Sequence, residues 1–508
     1  AALGREFPYG VIRAMVDMPD DALRTAFDRL VAADILYQQG TAPDAVYTFK
    51  HALVQDAAYE TLLRSDRSAI QARITSVLER QFPETVARHP ELLAHHATES
   101  SLWEKAIRYR LDAAQNALTR SAAAEACGHI EKGQVLLERL SEDKTRHLLD
   151  YKLQGKLADA LKMLKGWMAP EVGATLSGLR EHPGREPNNV EDYKISVLLW
   201  GLYWRVDLER ALRLVEQMME ENAEHPDRIA FCHFCQGSTK IVHGDFADSK
   251  RSFSYFLEHC KEEGFAAMDY NSGLDTEGLA LGRLGITHLA LGDADQARQA
   301  VENGIIEARK TTRPFSLSTV LSTAAYVYSI LGDVDRTAEI AGEGWAIAVE
   351  QKFTYLSARI EQHLGWVDVM RGKVSSGVER MERSTAAVRS LGGRMHNGYF
   401  VTLLAGCHLR AGQIDRAEQI VAEAIADIEQ TGECWRESDA WRIWGDIKLA
   451  ASPRADEEAE ALYRRALDIA GKQNAKFWQL QAAISLARLL LGRGDRDQAL
   501  ALLAPVYD

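Results

Sequence analysis

Cysteine and histidine crowd together at Cys232-His233-Phe234-Cys235, with His259 and Cys260 a short way downstream. A C-x-x-C pair joined by further sulfur and imidazole ligands can hold zinc tetrahedrally. Here both cysteines of the pair lie on one predicted helix, where a free thiol is an ordinary small buried group. The spacing to His259 and Cys260 matches no finger pattern, so no metal site is expected. His95-His96 lacks the H-E-x-x-H order of a zinc hydrolase and reads as part of a helix with one imidazole inward. The chain has neither a G-x-S-x-G elbow nor a G-x-x-x-x-G-K-[ST] phosphate loop. Acidic residues decorate predicted helix faces too widely for a carboxylate pair to stand out. No catalytic residue is expected in this region.

The elements that position these residues repeat. Gly292, Gly332, Gly372 and Gly412 stand 40 residues apart (332−292, 372−332, 412−372), each opening a polar turn: LGDADQA, LGDVDRT, RGKVSSG, AGQIDRA. Seven positions earlier stands a small residue, Gly285, Ala325, Gly365 or Ala405. Five positions later comes Ala297, Thr337, Gly377 or Ala417, small except for the threonine. Val301, Ala341, Met381 and Val421 follow, and then Gly304, Gly344, Ser384 and Ala424. Small residues facing each other across a tight turn let two antiparallel helices approach closely, and the larger apolar residue fills their seam. This is the helix–turn–helix unit of a tetratricopeptide array, lengthened from its usual ~34 residues.

First helices line the concave groove of such an array. Trp200, Trp204, Trp366, Trp441 and Trp444 lie on predicted first helices. Counting one residue past the small position turns Tyr326, Trp366 and Asp446 toward the groove, and counting three before it adds Gln362 and Arg442. Aromatic residues with a few polar partners suit a groove that takes a protein or peptide. The competing reading is core packing between repeats, since aromatics carry large buried area.

The same offsets recur outside the four regular units. They appear at Ala114, Ala126, Ile130 and Gly133, weakly at Leu199, Ala211 and Val215, and clearly from Gly237 through Ser249, Phe253 and Phe256. They return at Gly445, Ala459 and Ala466, after which Ala487, Ala499 and Leu503 close the series. A two-residue insertion falls near Ser452-Pro453, and EHPGREPNN, with Pro183, Gly184 and Pro187, reads as an exposed loop.

Residues 1–66 follow a different pattern. Tyr9, Val11, Ile12, Met15 and Val16 mark a short amphipathic helix, and Pro19-Asp20-Asp21 starts a second with carboxylates near the positive end of its dipole. Ile35-Leu36-Tyr37 and Val46-Tyr47-Thr48-Phe49 read as a hairpin around a turn at 40–44, and a third helix runs from His51 to about Leu63. Helix, helix, hairpin, helix is the order of a winged helix. The expected fold is therefore all-α: a winged-helix-like domain (1–66), a helical linker with first repeats (67–140), irregular repeats (141–230) and a regular solenoid (231–508).

Charge narrows the partners. The net charge is −13 and the isoelectric point near 5.7, which argues against a nucleic-acid-binding surface. The second helix, DDALRTAFDRLVAAD, carries four aspartates against two arginines. No run of ~18 apolar residues is evident and no signal-peptide pattern opens the chain, so a cytoplasmic protein without a membrane span is expected. Both ends read as cut from something longer.

The stretches YTFKHALVQDAAYETLLRSDR (47–67), PELLAHHATES (90–100) and EKAIRYRLDAAQNALTRSAAAEA (104–126), with the opening AALGREF, resemble a bacterial multidomain family. Its members join a class III adenylate or guanylate cyclase to a signal-transduction ATPase of the STAND type and a tetratricopeptide tail. The resemblance implies that this chain is the winged helix plus repeat region, a non-catalytic sensor that regulates an attached ATPase and cyclase. It implies no cofactor here, with ATP or ADP held by the ATPase module. In that ATPase class a histidine at the start of the last winged-helix helix contacts the nucleotide's β-phosphate. His51 falls at that place, and Lys50 lies beside it at a helix N-terminus suited to anions; otherwise His51 caps the helix or packs in the core. Two other functions fit the same features, a STAND-type transcriptional activator and a stand-alone repeat scaffold.

Overall fold

A computed structural model of the chain describes all residues except 168, 187–188, 206, 262–274, 393–395, 453–454 and 508. Pro187 of the expected loop and Pro453 of the expected insertion lie outside the described residues. The regular structure is helical apart from one small sheet, and the chain divides into two compact units. One comprises Ala1–Ala117, Ala124–Leu157 and His182–Arg185; the other comprises Leu118–Ala123, Ala158–Glu181 and Glu186–Asp508.

In the first unit, β1 (Glu6–Pro8), β2 (Leu36–Gln39) and β3 (Val46–Phe49) form an antiparallel sheet in the order β1-β3-β2. Helices Tyr9–Met15, Asp20–Ala32 and Ala52–Glu60 complete the expected helix, helix, hairpin, helix order. β1 is an addition to that reading. Three residues are too few to show strand alternation, and the strand exists because β3 pairs with it. Aromatic rings fill the space between sheet and helices, with Phe27 stacked on Tyr47 at 4.3 Å. The Tyr9 hydroxyl donates to Asp20 Oδ1 at 2.7 Å and ties the first helix to the start of the second. The next helices bury His96, whose Nδ1 meets Gln71 Oε1 at 2.6 Å, while His95 faces out. Burial pushes His96 down to about 4.

In the second unit, helical hairpins follow one another from Pro226–Val242 with Phe246–His259 to Lys476–Arg493 with Arg496–Tyr507. This is the tetratricopeptide-like solenoid that the 40-residue spacing predicts. The four spaced glycines end first helices with left-handed backbone, φ 96°, 77°, 87° and 72° in chain order. A side chain is strained there, which is why glycine recurs. The residue after the glycine starts the next helix, and where it is Asp293 or Asp333 its carboxylate accepts from the N–H of Gln296 or Arg336.

The small residues mark the closest approaches. A Cβ on Gly365 would stand 3.0 Å from Met381 N and 3.1 Å from Gly377 O, and one on Gly377 would stand 2.7 Å from Val369 N. Val301 and Met381, the seam residues, are fully buried. Thr337 is accommodated because its hydroxyl donates back to Asp333 O at 2.6 Å within its own helix.

Pro314–Leu331 corrects one expectation from the sequence. It is long and apolar enough to pass for a membrane span, with a mean hydropathy of 1.2, yet 61% of it is buried inside the protein. Ser318 and Ser329 are buried in it with their hydroxyls bonded to backbone carbonyls, as a helix core inside a solenoid allows.

The close packing yields a paired prediction. Gly377→Ala should destabilise by about 1–3 kcal/mol from overpacking against backbone atoms. Gly342→Ala, in a helix with nothing within 4 Å of the new methyl, should stabilise by up to about 1 kcal/mol. Thermal melts of both variants check this, and equal shifts would contradict the close approach.

Candidate functional site

First helices of successive hairpins pack on one another as well as on their own second helices. The array therefore curves toward its first helices, and their side chains face inward. An open groove would follow if nothing entered it. Instead the short segment 432–436, between helices Ile414–Thr431 and Glu437–Ala451, turns in on left-handed Gly432. The N–H groups of Cys434 and Trp435 both donate to the carbonyl of Val242, at 2.9 and 3.2 Å. Gln473 Nε2 donates to Cys434 O at 2.9 Å. The Trp435 ring, 1% exposed, packs against His396 at 5.5 Å, Tyr399 at 5.7 Å and Trp478 at 6.3 Å. Hairpins far apart in sequence thus meet around one indole, and the inner face is divided into separate cavities.

The larger cavity, about 450 Å³, is walled by Trp366, Tyr399, Leu403, Gly406 and Ile443 and edged by Arg436 and Arg442. Both arginines pair with buried Asp439, and Arg442 Nη1 also meets Asp446 Oδ2 at 2.7 Å. Burial opposes ionisation of Asp439, but the two guanidiniums hold it below the usual carboxylate range. Asp446 is pushed up by burial, and its other oxygen accepts from the Tyr463 hydroxyl at 2.6 Å. The smaller cavity, about 120 Å³, is lined by Trp204, Arg205, Arg283, Tyr326, Tyr355 and Arg359 among others.

The five groove candidates all sit on first helices, but at different depths. Tyr326 borders the smaller cavity; Trp366 and Arg442 border the larger. Gln362 is fully buried, donating to Thr385 Oγ1 at 2.8 Å and accepting from Arg359 Nη1 at 3.2 Å. Asp446 lies behind Arg442. Of the other tryptophans, Trp200 is core, its Nε1 bonded to Thr239 Oγ1, and Trp441 is covered by Arg465 at 3.6 Å. Arg205, Arg283 and Arg359 were not reached by counting. Two before the small position gives Arg283, and six before gives Arg359, so the inward register is wider than the two offsets used. Arg205 follows a helix end and has no such marker.

In the first unit His51 is the N-cap residue of Ala52–Glu60, exposed, with no side-chain cap bond. Lys50 is engaged by Asp34 and lies 5.2 Å from the centre of the Tyr37 ring. Cys232 and Cys235 are buried in one helix, with Cys232 Sγ 3.4 Å from the Tyr193 hydroxyl. Among the described residues no group of three or more His, Cys, Asp or Glu is placed to hold a metal ion.

No protein-family model matches the chain. An uncharacterized protein of Rhizobium meliloti (strain 1021) is 24% identical over 505 residues, covering 97% of this chain and 48% of the relative. The chain thus spans about half the length of the curated relative it matches. Among solved structures, a Rap protein complexed with Competence and Sporulation Factor matches 73% of this chain and 99% of its own, at 14% identity and TM-score 0.54. A STAND protein with a tetratricopeptide repeat sensor from Pyrococcus horikoshii covers all of this chain and 61% of its own, at 13% identity and TM-score 0.29. The Rap likeness shows the helical-repeat fold.

His363 supplies a pH test of the inner packing. Its ring lies 4.9 Å from both Tyr326 and Phe400, and neither nitrogen has a partner among the described residues. Burial, helped by Arg359, pushes it from 6.5 down to about 3. The native state therefore resists a proton that the unfolded chain accepts. Its stabilising contribution is complete above pH 6.5 and is lost progressively as the pH falls toward 3. His363→Leu should flatten the fall in Tm between pH 7 and 4.5, and an unchanged slope would show that the ring is not buried neutral.

Proposed function

We propose that this chain is the non-catalytic regulatory region of a signalling protein, and that its inner face binds a protein or peptide partner. The observation that carries the reading is the 450 Å³ cavity, whose aromatic and apolar walls are edged by Arg436 and Arg442. Buried aromatic anchors beside a few fixed charges are what a peptide-binding surface uses. Because segment 432–436 bridges distant hairpins, a partner that fits the cavity differently in two arrangements of the array would shift their balance.

The attached modules are an ATPase that binds ATP or ADP and a nucleotide cyclase, in a cytoplasmic protein. Support comes from the first unit. His51 is exposed at a helix start, and Ala52–Glu60 buries none of its residues, with Leu53 81% exposed and nearby Leu63 70% exposed. That surface offers apolar contact to a neighbouring module and an imidazole for its nucleotide. Lys50 is already paired, so the contact falls to His51.

Gly406→Leu tests partner capture, since it fills the cavity from a position where a Cβ meets only Ile443 Cδ1, at 3.8 Å. In the full-length natural protein it should abolish partner-dependent change in nucleotide turnover while leaving basal turnover intact. An unchanged response would sink the reading. His51→Leu should weaken nucleotide binding by roughly tenfold, the worth of one charge-assisted hydrogen bond; equal affinity would remove His51 from the mechanism.

A further inference from the structure

Three guanidiniums converge on the smaller cavity from three places in the chain. Arg205 follows helix Val190–Tyr203, Arg283 lies within Thr276–Ala290 and Arg359 within Thr354–Met370. Each is built into its wall. Arg205 donates to Gly201 O at 2.6 Å and lies over the rings of Trp167 at 4.4 Å and Trp204 at 4.8 Å. Arg283 donates to the Ser238 hydroxyl and lies over Trp204 at 4.8 Å and Phe234 at 5.0 Å. Arg359, 4% exposed, donates to the Tyr355 hydroxyl at 3.0 Å and lies over Phe400 at 5.0 Å.

Two of the three, Arg205 and Arg283, have no counter-charge among the described residues. Among the described residues neither Arg205 nor Arg283 meets a carboxylate, and the cavity wall includes no Asp or Glu. Against burial, Glu433 raises Arg359 through its charge, and its oxygens accept from His396 N at 2.9 Å and Trp435 Nε1 at 2.9 Å. Arg205 and Arg283 stand so in a chain with 73 acidic residues and a net charge of −13. The larger cavity makes the contrast, since its arginines are neutralised by Asp439 and Asp446. Burial, with Arg283 and Arg359 adding repulsion, pushes Arg205 down to about 9, and burial pushes Arg283 to about 10. Both stay charged at neutral pH. Cations withdrawn from water without an anion destabilise a fold, and apolar side chains of the same length would pack the space better.

We propose that this cavity is a binding site for a small phosphate-bearing ligand, whose oxygens take the open donors of Arg205 and Arg283, with Arg359 adding its charge to the wall. A guanidinium has five N–H donors in a planar fork suited to phosphate oxygens. Two such groups with a third cation beside them match a multiply charged tetrahedral anion better than one carboxylate. The cavity is too small for an extended peptide, which belongs to the larger one. Thr319 and Thr323 donate to carbonyls of their own helix, at 2.7 and 3.0 Å, so their oxygens remain as acceptors for a ligand hydroxyl. The site rests on the same reading of the inner face as a binding surface, but on different residues from the partner cavity.

Titration calorimetry on the 508-residue chain tests it, with inorganic phosphate, pyrophosphate and glycerol 3-phosphate as probes and citrate and an acidic peptide as comparators. At least one phosphate probe should bind and change tryptophan fluorescence through Trp204, with affinity falling as salt rises. Tight binding of glycerol 3-phosphate over inorganic phosphate would identify an organic ester as the ligand, and the reverse order would identify the free ion. Arg283→Met should weaken binding at least tenfold, and Arg205→Met with Arg283→Met should abolish it. Both variants should melt at or above the wild-type temperature without ligand, because each removes an uncompensated charge. Arg213→Met, on the exposed surface, should change nothing. Absence of phosphate binding up to the order of 10 mM, far weaker than a specific site, would overturn the proposal. So would citrate or peptide binding alone, or binding that survives in the folded double variant. Gly406→Leu should retain phosphate binding, so failure of partner capture and failure of this site are read separately.

Discussion

The carbonyl of Val242 accepts two hydrogen bonds from a segment nearly two hundred residues further along, and the inner face of the repeat array depends on that junction. A helical-hairpin array left open presents a continuous groove. Here Trp435, seated on that carbonyl, draws His396, Tyr399 and Trp478 around itself and occupies the centre. What is left is not a groove but compartments of different chemistry. A solenoid normally couples only neighbouring repeats. A bridge across its interior couples distant ones, which is what a region that converts binding into a change of state requires.

The two compartments show how the same residue type serves opposite ends. Arg436 and Arg442 are balanced by Asp439 and Asp446, so removing Asp439 would strand Arg436 and leave Arg442 with Asp446 alone. Around the smaller cavity Arg205 and Arg283 are held, among the described residues, by aromatic faces, a hydroxyl and a main-chain carbonyl, none of which carries a full negative charge. Such contacts orient a guanidinium without satisfying its charge. The first cluster is complete as it stands. The second is arranged for an anion supplied from outside.

How much of this was legible in the sequence follows from the range of each interaction. Glycines at a 40-residue spacing encode the turn, and Gly365 with Gly377 encodes the close approach, because both are settled within one hairpin. The hairpin domain at the start was legible for the same reason, except β1, whose three residues become a strand only by pairing with β3. Tyr326, Trp366 and Arg442 were placed on the inner side by counting from the small position. The bridge was not legible, since its geometry accumulates over every hairpin between Val242 and Trp435. Arg283 and Arg359 stand at offsets that a one-residue and one-turn widening of the register would have caught. Nothing in their neighbours marked them as buried, because arginine on a helix is ordinarily solvated.

Hydrogen exchange at the amides of Cys434 and Trp435 tests the closed inner face most directly. If both N–H groups are held by Val242 inside the array, they should exchange as slowly as amides in the middle of helix Thr354–Met370. Exchange at the rate of an exposed loop would mean that the segment lies outside, the groove is open, and the separate cavities do not exist.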